Sequence, residues 1–143
     1  MKHSLSQEDR EFKNLVESCQ FPVTSFDHRA HIRLAYVYLT ESSTDVSVDL
    51  VRDALTALLI NAGIDPSKKY HETLTEAWVL AVDHFMQTID SSSCADDFIE
   101  QKPEMLDSRI MMTHYSAELL FSDEARKEFL EPNRSPIPRH AQK

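Results

Sequence analysis

Glycine is almost missing from this 143-residue chain, with Gly63 the only one. Loops that cradle phosphate and dinucleotide-binding turns need several glycines at fixed spacing, so P-loop and Rossmann readings are excluded. Tight two-residue hairpins also draw on Gly or Asn-Gly, and the β-branched residues never alternate with polar ones over a useful length. Cysteine is scarce too. Cys19 and Cys94 lie far apart, without Cys-x-x-Cys spacing, and read as reduced thiols, Cys19 on a core face. No apolar run approaches the ~18 residues of a membrane span, and Met1 to Arg10 lacks the apolar centre of a secretory signal. Basic charge is the minority: 15 Lys and Arg against 24 Asp and Glu give a net charge of −9, and no cationic cluster exceeds Lys68-Lys69. Nucleic acids and anionic membranes are bound through grouped cations, so neither is an expected partner. A soluble, cytoplasmic protein with a small-molecule or protein partner is expected, its oligomeric state open.

What is present is helical periodicity. Phe12, Leu15, Val16 and Cys19 recur at three- and four-residue spacing, predicting a helix over Ser4 to Cys19 with Ser4 and Gln7 as its capping box and Phe21-Pro22 as its stop. Ser25 is placed to cap a second helix, in which His28, His31, Ile32, Leu34, Ala35, Tyr38 and Leu39 share one side. A third, from about Ser47, carries the stripe Val48, Val51, Leu55, Leu58, Leu59 and Ala62. Gly63 and Ile64 then predict a Schellman ending, and Asp65-Pro66 a fresh helix start. The fourth and longest is expected over 66–90, with His71, Leu74, Thr75, Trp78, Ala81, Val82 and Phe85 on one face and His84 at its edge. Short helices follow over 95–102, 104–114 and from Ser122. The expected fold is all-α: a single-domain up-down bundle of about four main helices plus short C-terminal ones over 1–131. A proline-containing tail, 132–143, should run extended or disordered.

In such a bundle helices two and four run the same way, so their first turns share one end. His28, His31 and His71 all lie in early turns and converge there as candidate metal ligands. His28 and His31 stand three apart on one face, and three imidazoles leave open coordination positions, as in catalytic zinc sites. Helix N-termini disfavour imidazolium and keep the rings neutral. Asp27 and Glu72, each adjacent to a candidate ligand, fit an outer-shell or general-base role. Tyr70, Thr75 and Trp78 would line the wall as substrate-binding residues. His114 is a possible fourth nitrogen, with a solvent-facing or capping role as its alternative; His3 and His140 fall in expected terminal disorder. Met105, Met111 and Met112 suit gap-filling core positions better than a soft-metal box.

The blocks Phe26-Asp27-His28-Arg29-Ala30-His31 and Lys69-Tyr70-His71-Glu72-Thr73-Leu74-Thr75, together with Tyr115-Ser116 and Pro136-Ile137-Pro138, resemble those of a family of small bacterial helical proteins without an assigned activity. The resemblance implies a compact helical protein with those histidines in its distinctive motifs. Similar proteins carry Tyr at the position of His114, which argues against that residue as a ligand.

Two functional readings remain open. In the first, a divalent zinc, iron, nickel or copper ion on His28, His31 and His71 activates water for hydrolytic or related small-molecule chemistry. In the second, the chain is a non-catalytic helical module that binds a small molecule or protein, its histidines serving as hydrogen-bonding, structural or pH-sensitive groups.

Overall fold

The computed structural model describes residues 2–139. Among them there is no strand, only one isolated bridge between His3 and Ser92, and the fold is all-α. Eight α-helices run in order: α1 (Gln7–Glu17), α2 (His28–Glu41), α3 (Thr44–Asn61), α4 (Pro66–Lys69), α5 (Glu72–Thr88), α6 (Ala95–Gln101), α7 (Ala117–Leu120) and α8 (Asp123–Lys127). Short 3-10 turns cover Val23–Ser25, Pro103–Leu106 and Ser108–Thr113. No helix of the described residues is long and apolar enough to cross a membrane.

α2, α3 and α5 pack on one another and form the centre, with α1 against α2 and α3, α6 against α2, and α8 against α5. The near-continuous apolar run of α2 reflects this central place: Ile32, Leu34, Ala35, Tyr36, Val37 and Tyr38 are all buried, so the helix is covered on more than one face. Its two tyrosines keep their hydroxyls satisfied, Tyr36 on the Ser4 carbonyl at 2.8 Å and Tyr38 on Glu17 at 2.7 Å. Met105 and Met111 are buried gap-fillers, as their spacing suggests.

Several helix ends differ from expectation. The capping box of α1 is Ser6 with Asp9 rather than Ser4 with Gln7. The same Asp9 carboxylate also accepts the Ala95 amide and pairs with Arg33, which fixes the register. α1 stops at Glu17, before Phe21-Pro22, because Cys19 turns left-handed at φ 61°; Cys19 is only half-buried, not a core residue. α2 is capped by Asp27, not Ser25, whose side chain sits in the preceding turn. α3 begins earlier than Ser47, capped by Ser43. Its far end is a complete Schellman motif: Ile64 N–H bonds Leu59 O at 2.9 Å and Gly63 N–H bonds Ile60 O at 3.0 Å, with Gly63 at φ 78°.

The predicted long fourth helix is two helices. Tyr70 and His71 are extended, and His71 is the N-cap of α5 rather than a residue of its first turn. His3 is ordered and buried, its ring bridging Ser92 Oγ and Met86 O at 2.7 Å each. His140 lies outside the described residues. The tail has no helix over 132–139 but returns to the body. Arg134 N–H bonds the His114 carbonyl, His114 Nδ1 donates to the Ser135 carbonyl, and Ile137 joins the core at 5% exposure.

Candidate functional site

Where the N-termini of α2 and α5 meet the C-terminal half of α3, the packing leaves a pocket of about 510 Å³. That is the size range of a small-molecule site. Of the eight residues picked out from the sequence, Asp27, His28, His31, Tyr70, His71, Thr75 and Trp78 line it; Glu72 does not. Bringing the two histidine-bearing blocks to one end therefore follows the expected topology. The opposite wall was not anticipated as such. Leu55, Leu58 and Leu59 read as core from periodicity and Ile64 as the contact of the Schellman ending, yet all four line the pocket, and Leu55 and Leu59 are only half-buried. The sequence carried no signal for it, since the α3 stripe has the ordinary width of about 100° of a core-facing helix.

The three imidazoles share the pocket but not a common ligand position. His71 has both nitrogens engaged: Nδ1 accepts the Leu74 amide at 3.0 Å and Nε2 donates to the Leu120 carbonyl at 2.7 Å. Its tautomer is thereby set, and no lone pair is left for an ion. His28 donates Nε2–H to the Met105 carbonyl at 2.8 Å and packs edge-on to Trp78 at 4.6 Å. His31 is different, since its Nε2 is enclosed and has no hydrogen-bond partner. Burial, then the neighbouring His28, pushes its pKa down to about 4, so the ring is neutral at physiological pH. Among the described residues no group of three or more His, Cys, Asp or Glu is arranged to hold a metal ion.

Asp27 and Glu72 are committed to structure rather than held ready for proton transfer. Asp27 accepts the Ala30 amide at 2.9 Å as the α2 cap. Glu72, nearly buried, takes a two-pronged ion pair from Arg52, Nε at 2.9 Å and Nη2 at 2.8 Å, plus the Tyr70 hydroxyl at 2.7 Å. Burial alone would raise its pKa, but the Arg52 and Tyr70 hydrogen bonds outweigh it and hold the carboxyl below its ordinary value. A carboxylate so held is a weak base. Sequence spacing gave no sign of Arg52, twenty residues away on α3. The ion pair anchors the extended Tyr70-His71 link on which that side of the pocket rests.

His114 is half-buried and bonded to the tail, away from the pocket lining. His84 is a half-buried boundary residue, as its helical angle suggests. Compared with protein-family models, curated proteins and solved structures, the chain matches none.

Proposed function

We propose that this chain is a helical small-molecule-binding protein whose ligand occupies the pocket between α2, α3 and α5. The observation that carries the reading is the pocket itself: about 510 Å³ with a mainly apolar wall and a few convergent polar groups, among them the unsatisfied His31. A buried N–H without an acceptor is costlier and rarer than an unpaired lone pair, so the proton of neutral His31 belongs on Nδ1. Nδ1–H is then the ring's one donor, on a residue of the pocket lining. His28, with Nε2–H spent on Met105, keeps an Nδ1 lone pair as an acceptor.

Native mass spectrometry of protein purified without nickel affinity tests this. A bound organic mass, released on denaturation and lost when Leu58→Trp fills the pocket, is the expected result. Near-stoichiometric zinc, iron, nickel or copper that disappears in a His28→Ala/His31→Ala variant would overturn it in favour of a metal centre. Such a centre requires His71 to give up at least one of its two hydrogen bonds, the α5 cap if Nδ1 is the ligand, which is why the metal-free reading is preferred.

A further inference from the structure

The two charged residues lining the pocket are Asp27 and Lys69. They are not equivalent. The Asp27 carboxylate accepts the Ala30 amide and faces the positive end of the α2 dipole, so its charge is already answered. Lys69, exposed at the last turn of α4, pairs with no carboxylate among the described residues. The nearest carboxylate along the chain, Glu72, is taken up by Arg52 and Tyr70. What the pocket offers a ligand is therefore one unanswered positive charge, with the neutral His31 ring elsewhere in the same lining. Away from that polar side the lining is aliphatic and aromatic: Leu55, Leu58, Leu59, Leu74 and Trp78. Apolar area supplies affinity in such a pocket, and the few polar groups select the head group and its orientation.

We propose that the ligand is an amphiphilic carboxylic acid, its hydrocarbon part against the leucines of α3 and Trp78 and its carboxylate facing Lys69. This rests on the pocket being a small-molecule site and adds the sign and chemistry of the head group. A cationic ligand would meet Lys69 and find Asp27 already engaged. A neutral alcohol would gain the same apolar contacts without the ionic one.

Trp78, the only tryptophan, lies in the pocket wall, so its emission reports occupancy directly. The full chain is titrated at low ionic strength with decanoate, decanol and decyltrimethylammonium, each below its micelle concentration, with calorimetry as a second readout. Decanoate should bind about tenfold more tightly than either other probe. Lys69→Gln, at an exposed position where folding is unaffected, should weaken decanoate about three- to fivefold and leave decanol unchanged. Decanol binding as tightly as decanoate, or decanoate indifferent to Lys69→Gln, would overturn the head-group assignment while leaving the pocket as a binding site. Tighter binding of decyltrimethylammonium would reverse the sign and make Asp27 the counter-charge. If none of the three binds and Leu58→Trp changes no bound mass, the binding-site reading fails as well.

Discussion

His71 Nε2 lies 2.7 Å from the carbonyl oxygen of Leu120, so the residue that caps α5 also ties α7 to the body. His71→Ala removes the cap and leaves the Leu120 carbonyl without its donor, a loss of about 2–3 kcal/mol in unfolding free energy. His71→Asn can accept the Leu74 amide but is too short to reach Leu120, so it should recover only the capping part, about 1 kcal/mol. Urea denaturation of the three proteins checks this. Equal stability of the Ala and Asn variants would assign no energy to the cap.

The His31 ring makes stability fall in mild acid. Its pKa is held down to about 4 in the fold, against an ordinary 6.5 in the unfolded chain. The unfolded state therefore takes up the proton first, so the contribution is complete above pH 6.5 and is lost as pH drops towards 4. It amounts to at most about 3 kcal/mol. His3 and His71, both lowered chiefly by burial, act in the same direction. Glu76, raised by burial and then by Glu72, opposes them lower in the range. The urea midpoint should decline between pH 7 and pH 4.5, and His31→Leu should flatten that decline; an unchanged slope in the variant would remove His31 as its source.

The all-α class and the meeting of the two histidine blocks were legible because both rest on local signals: apolar period, turn residues and the order of helices. The Schellman ending at Gly63 is legible for the same reason. The Tyr70-His71 break was not. Neither residue is a helix breaker, and helical angles place His71 neatly on the core stripe. What pulls it out is tertiary: Arg52 and Tyr70 hold Glu72, while Leu120 holds the His71 ring. His71 thereby stands at the cap of α5 instead of inside a continuous helix. The buried His3 was missed for a similar reason, since its partners Met86 and Ser92 lie over eighty residues away.

Arg52 and Glu72 form a two-pronged ion pair just outside the pocket lining. The Glu72 side chain is 11% exposed and that of Arg52 36%, so one partner sits near the interior and the other reaches solvent. Removing the cation strands the anion: Arg52→Met should cost about 1–3 kcal/mol, less than a fully buried pair because solvent still reaches the guanidinium. Glu72→Gln, which discards the charge but keeps an acceptor for Tyr70, should cost less than Arg52→Met. Because Glu72 is outside the pocket, Glu72→Gln should also leave the bound mass seen by native mass spectrometry in place. Loss of that ligand on Glu72→Gln would return Glu72 to the site.

Two helices end in the same Schellman geometry with different residues at the left-handed position. After α3 it is Gly63; after α1 it is Cys19, at φ 61°, with Gln20 N–H on Leu15 O at 2.8 Å and Cys19 N–H on Val16 O at 3.0 Å. A side chain there crowds its own backbone, a strain of about 1 kcal/mol that glycine does not incur. Asn61 donates to the Cys19 carbonyl at 3.3 Å, a contact that does not involve the thiol. Cys19→Gly should therefore raise stability by about 0.5–1 kcal/mol, the gain at φ > 0 exceeding the entropy of a freer unfolded chain. Gly63→Ala should lower it by a similar amount, and purely through the backbone, since a Cβ added there meets nothing within 4 Å. Thermal melts of both variants under reducing conditions test the pair. If Cys19→Gly is destabilising, the half-buried thiol contributes packing that outweighs the strain of its backbone.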